Sequence, residues 1–355
     1  MRLFVTGSTG FIGSHFVRAA LAAGHDVTAL RFPGTQPVIP IPDSDRLTWI
    51  DGDLNAFLTA HSAFRLMPRS PSAIIPPPSA EGPAPSSFSS SALVHLAAYG
   101  VSPQTCTWQK AFQINVSDSL ALMERAIESG IGRIVVSGSC VEYGQSAGRY
   151  ENIPSDAPLE PVGPYAASKA AQSIAASALC REKGIALAIL RLFTVFGEGQ
   201  HPANFWPSLK KAALAGEDFP MTPGEQVRDF IPVDDVAQAF LKAVELLRRA
   251  EVEGLRSDNA PQAPTTDEES RTRNQERAVS FSAITPPPQP LNQASPQPLI
   301  ANVGAGKPQT LLEFAGHWWN EWGATGKLLP GALPYRPNEA MRYVPEISPP
   351  FTRHQ

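Results

Sequence analysis

The stretch Gly7-Ser8-Thr9-Gly10-Phe11-Ile12-Gly13 constrains this chain more than any other, because it follows the apolar run Arg2 to Thr6 and opens an amphipathic helical pattern that ends near Ala23. Glycines at such a turn let the backbone reverse tightly and approach a pyrophosphate, while the helix N-terminus offers unpaired N–H groups and its positive dipole end. A lone glycine would mean only a tight turn. With a strand before it and a helix after it, the segment reads as a dinucleotide cradle.

The rest of the chain keeps the same rhythm. Strands are expected at Asp26 to Leu30, Leu47 to Asp51, Leu93 to Ala97, Arg133 to Ser139 and Ala186 to Leu192, with helices around Thr107 to Ser129 and Pro164 to Lys183. Alternating strands and helices imply a parallel sheet, so the expected fold is α/β, a doubly wound Rossmann sheet of about six strands. After Gly197 the pattern loosens. Helical segments at Phe205 to Ala215, Val233 to Ala250 and Thr310 to Trp322, with a strand at Leu299 to Val303, are assigned to a smaller C-terminal substrate lobe. The expected division is therefore residues 1–192 for the dinucleotide domain, 193–347 for the lobe and 348–355 for a tail.

Composition locates two interruptions. The 36 prolines among 355 residues are roughly twice the usual share. They gather in a Pro/Ser-rich stretch, 66–91, and in a Ser/Thr/Gln/Pro-rich stretch, 251–298, both expected as disordered insertions because such compositions bury too little apolar surface to offset ordering. A formal charge of −4 argues against nucleic acid or an anionic membrane as partner. No apolar run reaches the roughly 18 residues of a membrane span. The N-terminus lacks the form of a secretory leader. Cys106, Cys140 and Cys180 form no C-x-x-C pair, and they read as reduced thiols of a cytoplasmic protein. No metal site is expected.

Three further constellations carry chemistry. Arg31 stands where the second strand ends; an acidic residue there would bind the ribose 2′-hydroxyl of NAD, whereas arginine favours the 2′-phosphate of NADP, or simply lies solvated. Asp53 follows the third strand, placed for the adenine amino group or for a helix cap. Tyr165 and Lys169 share one helical face at i, i+4 spacing, and an ammonium that stabilises phenolate would lower the tyrosine pKa and make it a usable acid/base. Ser139 ends the strand Val136 to Ser139 at the carboxyl edge of the sheet, where a hydroxyl can bond the same substrate oxygen that Tyr165 protonates.

Together, GSTGFIG, His95-Leu96-Ala97-Ala98, the Ser139 loop, Tyr165 to Lys169 and Val227-Arg228-Asp229-Phe230-Ile231-Pro232-Val233-Asp234-Asp235 resemble the extended short-chain dehydrogenase/reductases, specifically the NAD-dependent epimerase/dehydratase family of nucleotide-sugar enzymes. The resemblance covers residues 1–65, 92–249 and 299–347. It implies that Ser139, Tyr165 and Lys169 form the catalytic triad, with Asn115 orienting the lysine through water. It implies Gly7, Gly10, Phe11, Ile12 and Gly13 at the cofactor pyrophosphate; with Arg31 and Asp53 from their places after the strands, and Leu54, Ala97, Ala98, Tyr165 and Lys169, these are the residues expected at the cofactor, NADP or NAD. It also implies Arg228 at the substrate diphosphate, Arg336 at the same nucleotide or else as an ordinary surface arginine, and a homodimer; Thr194 replaces the substrate-contacting asparagine that the family often carries before Val-Tyr-Gly.

Where dehydratases of this family carry Asp-Glu after the catalytic hydroxyl, this chain has Cys140 and Val141. Glu142 is one residue out of register, and strand-like alternation would point it the other way. Dehydration and decarboxylation are therefore disfavoured, and the pattern looks closest to the reductases and epimerases of CDP-abequose or CDP-paratose type. The expectation is an NAD(P)-dependent 4-epimerase or 4-ketoreductase of a nucleotide sugar. The rival is a non-catalytic dinucleotide sensor or scaffold.

Overall fold

The structure, a computed structural model, describes residues 1–54, 91–100, 106–258, 296–336, 339–347 and 351. Seven strands form one parallel sheet: β1 (Arg2–Thr6), β2 (Asp26–Arg31), β3 (Leu47–Asp51), β4 (Ser91–His95), β5 (Arg133–Ser139), β6 (Ala186–Leu192) and, far along the chain, β10 (Leu299–Val303). Their spatial order is β10-β6-β5-β4-β1-β2-β3. The order reverses between β1 and β4, which opens a crevice beyond their carboxyl ends, the place where such sheets bind ligands.

Each face of the sheet is covered. On one side α1 (Phe11–Ala22) and α6 (Val233–Asp258) pack together, with Phe16 meeting Phe240 edge to face at 6.1 Å between ring centroids. On the other lie α2 (Trp108–Phe112), a π-helical segment Gln113–Asp118, α3 (Ser119–Glu128) and α4 (Pro164–Lys183), whose Leu122, Met123, Ala126 and Ala176 are fully buried against Ile134 and Val136. The helix expected over residues 107–129 thus contains a π-helical turn, and Asn115 sits in it; such turns often mark functional sites. Proline at the first turn of α4 and the left-handed Gly184 just past its end, φ +67°, fix that helix's limits.

Two expectations change here. The sheet has seven strands, because Leu299–Val303 pairs in parallel with β6 rather than joining a separate lobe. The helix from Val233 likewise packs on the sheet, burying Val236, Phe240 and Val244 in its core. A cut at residue 192 therefore does not divide the packing. The smaller lobe consists of β7 (Thr194–Phe196), β8 (Phe219–Met221), β9 (Val227–Pro232), β11 (Pro308–Thr310), β12 (Leu328–Pro330) and β13 (Arg342–Tyr343), with α5 (Phe205–Ala215) and α7 (Leu311–Glu321). An aromatic cluster holds it: Phe230 of β9 stacks on Phe314 at 3.8 Å, with Trp206 packed beside them.

The expected insertions lie mostly outside the described residues. At their edges, Ser91 is the first residue of β4 and α6 continues to Asp258, so regular structure extends further than composition implied. Phe351, in the expected tail, is buried against the main core. No helix of the described residues is long and apolar enough to cross a membrane.

Candidate active site

The glycine turn shapes the first of two cavities. Gly7 has φ +68°, and a Cβ there would sit 2.6 Å from the Ala97 backbone nitrogen; a Cβ on Gly13 would sit 1.9 Å from the Gly7 carbonyl oxygen. The loop therefore folds tightly against β4 and back onto α1. Gly10 caps α1 without any side-chain hydrogen bond, which leaves the first amides of the helix open to a ligand. Gly7, Gly10, Asp53, Leu54, Ala97 and Ala98 line a cleft of about 580 Å³. An open helix end over a backbone cradle suits a dinucleotide pyrophosphate, so the residues present fit the cofactor the sequence implied.

Phe11, Ile12 and Gly13 stand behind this wall. Phe11 meets His15 edge to face, Ile12 packs on the main core, and Gly13 allows the helix its close approach to Gly7. Leu30 and Phe32 line the cleft, while Arg31 between them is drawn to β3. There its Nε donates to Asp51 Oδ1 at 2.6 Å and a terminal nitrogen to Oδ2 at 3.2 Å, with the guanidinium over the Trp49 ring.

The second cluster forms where β5 ends beside the first turn of α4. Tyr165 lies near enough to Ser139 for the serine hydroxyl to act on its phenol. Tyr165 also lies against Gly100, where a Cβ would be 3.5 Å from its ring. It is thus flanked by the segment that lines the cofactor cleft at Tyr99 and by the turn that lines the other cavity at Cys140. Lys169 is 1% exposed; its Nζ donates to the Ser137 carbonyl oxygen at 2.6 Å and to Gln172 Oε1 at 2.5 Å. Burial brings Lys169 down to about 8.

Spacing alone predicted that this ammonium would make the tyrosine more acidic. Instead burial pushes the Tyr165 phenol above its ordinary value, opposed by the nearby Ser139 hydroxyl, because desolvation of a phenolate outweighs that neighbour. Asn115 has direct partners of its own. Its amide donates to the Tyr99 carbonyl and to Ser168 Oγ, and its carbonyl accepts from the Tyr99 N–H, so it braces the helical turn between Tyr165 and Lys169.

Thr194, Arg228 and Arg336 line a second cavity of about 700 Å³ together with Cys140, Val141 and Ala166. Residues far apart in sequence meet here because the lobe folds over the carboxyl edge of the sheet. Arg228, on β9, donates to Glu339 Oε1 at 3.0 Å and to the Ala340 carbonyl at 2.6 Å. Burial pushes the Cys140 thiol up to about 12, so it stays neutral.

Sequence reasoning missed Glu339 as the partner of Arg228 and Gln172 as the partner of Lys169. Gln172 was within reach, since i+3 on a helix shares a face. Nothing in the sequence pointed to Glu339.

The sequence profile of the NAD dependent epimerase/dehydratase family matches residues 3–69 and 83–254, more than half of the chain. The chain belongs to this family. Among curated relatives, the UDP-glucose 4-epimerase of Lacticaseibacillus casei is 27% identical over 267 residues, 70% of this chain and 72% of that protein. The UDP-glucose 4-epimerase of Erwinia amylovora is 28% identical, covering 73% and 77%. Among solved structures, the UDP-N-acetylglucosamine 4-epimerase from Methanobrevibacter ruminantium M1 superposes with a TM-score of 0.67 at 21% identity, covering 98% of this chain and 89% of that one. The dTDP-glucose 4,6-dehydratase from Streptomyces venezuelae gives 0.65 at 22%, covering 98% and 88%. At these identities the structures show a shared fold.

Proposed function

We propose that this family member inverts the configuration at C4 of a nucleotide sugar, with NAD as its cofactor. The observation that carries the reading is the placement of Tyr165 near Ser139 and against Gly100, between the segments that line the two cavities at Tyr99 and at Cys140. A bound nicotinamide supplies the acceptor and then the donor of a hydride. The chain's own residues handle the proton and the orientation. In its phenolate form Tyr165 takes the proton from the sugar O4 as the alcohol becomes a ketone, and as the phenol it returns that proton when the alcohol reforms, while Ser139 bonds the same oxygen. Lys169 supplies a buried positive charge one helical turn away. Arg228 and Arg336 hold the diphosphate at the far end of the cavity, a bidentate task for guanidinium, and Thr194 lies on the same wall.

Two features narrow the reading. Cys140 and Val141 offer no acid and base for eliminating water. Arg31 is already neutralised by Asp51, so a 2′-phosphate would have to compete with a carboxylate, which favours NAD over NADP. The exposed, stacked Trp108 and Phe112 of α2, 54% and 36% exposed, and Ile174 of α4 support a homodimer through these helices.

The test is to incubate the protein with NAD and a panel of nucleotide hexoses, following C4 inversion by proton NMR. Inversion that Tyr165→Phe lowers by about 10³-fold is expected. Steady NADPH oxidation with a 4-keto nucleotide sugar would replace this reading with a 4-ketoreductase. Tight cofactor binding without turnover of any sugar would replace it with a sensor.

A further inference from the structure

Glu142 is buried completely, although glutamate seldom is. The alternation of an extended chain would turn it outward, but residues Cys140–Glu142 form a 3₁₀ turn that folds its side chain back beneath Ser139. There Oε1 accepts from the Ser139 N–H at 2.7 Å, and Oε2 accepts from Ser173 Oγ at 2.8 Å and from Arg191 Nε at 3.0 Å. Arg191 in turn donates to Tyr143 Oη and to the Ser155 carbonyl. Gly138 makes room for the carboxylate, since a Cβ on it would lie 2.9 Å from Glu142 Oε1. One buried side chain therefore joins the Ser139 backbone, the α4 helix that bears Tyr165 and Lys169, and strand β6.

Resting on the reading of Ser139, Tyr165 and Lys169 as the reacting cluster, we infer that Glu142 is a positioning residue that fixes Ser139 and sets a buried negative charge against the helix that carries Lys169. Several groups act on that ammonium or on its neighbours. From β4 comes His95, held neutral by burial, which lowers it to about 3. On β6 stands Arg191, already paired. Tyr165 lies on the same helix, with Cys140 and Cys106 acting on the phenol. Among the described residues Glu142 is the one carboxylate that acts to raise Lys169, against the burial that lowers it. Ser173, four residues beyond Lys169 on the same helical face, holds the carboxylate toward that side.

A purely structural role, neutralising Arg191, makes a different prediction. Two variants separate them: Glu142→Gln, which keeps an acceptor for the Ser139 N–H, and Glu142→Gln/Arg191→Gln, which also removes the orphaned guanidinium. Lys169 is followed by carbon NMR of Cε-labelled lysine in the protein without cofactor, its signal assigned with Lys169→Arg. In both variants the Lys169 midpoint should fall by about one pH unit. The alkaline limb of the kcat profile should move the same way, with KM changed less than about twofold. An unmoved midpoint in the folded double variant would overturn the inference. A lowered midpoint in a chain that turns over no nucleotide sugar would support the coupling and overturn the proposed function.

Discussion

Replacing Lys169 by methionine removes an ammonium from a site that is 1% exposed, and the structure sets what this should do to stability. Burial takes the lysine from its ordinary 10.5 to about 8. At about 1.4 kcal/mol per pH unit, the charged form costs the fold about 3 kcal/mol. The cost is fully present below pH 8, where folded and unfolded chains both carry the proton. Above pH 8 the folded chain sheds it first, so the penalty fades as pH rises through 10.5, and at pH 10 about 1 kcal/mol remains. Methionine also orphans the Ser137 carbonyl and Gln172 Oε1, but that loss does not depend on pH. The stability of Lys169→Met relative to the unaltered protein should therefore be about 2 kcal/mol more favourable at pH 7 than at pH 10. Urea unfolding followed by circular dichroism at the two pH values measures the difference. A gap that stays constant within about 0.5 kcal/mol would refute the desolvated ammonium and the chemistry built on it.

Other outcomes follow from single contacts. Gly13→Ala places a Cβ 1.9 Å from the Gly7 carbonyl and should weaken NAD binding by more than about tenfold in calorimetry, because the cradle must open to admit it. Arg228→Met removes the guanidinium from the cavity wall and should raise KM for a nucleotide sugar by roughly 10–100-fold with kcat changed far less, as loss of uniform binding does; an equal fall in kcat would place Arg228 in the chemistry instead. Asp51→Ala frees Arg31 from its carboxylate and should shift the ratio of NADP to NAD affinity toward NADP by about tenfold. An unchanged ratio would mean that Arg31 cannot reach the ribose.

The amino-acid sequence by itself determined the parallel sheet and the glycine cradle, because both rest on local physics: strand-to-helix rhythm, backbone freedom at Gly7, and helical spacing that sets Tyr165 and Lys169 on one face. The elements β1, β3, β5, β6, α4 and α5 lie at the residues the pattern marked. Tertiary structure alone decided the rest. Leu299–Val303 reads as an ordinary apolar run, and only its pairing with β6 makes it the seventh strand of the main sheet. Arg31 looks free for a phosphate until β3 brings Asp51 beside it, and Glu142 looks displaced until a 3₁₀ turn carries it under Ser139 to meet Arg191. Most consequential is the proton affinity of the reacting pair. Spacing says that two groups are neighbours, but whether a neighbour's charge or the removal of water prevails depends on what encloses them, and enclosure is a property of the whole fold.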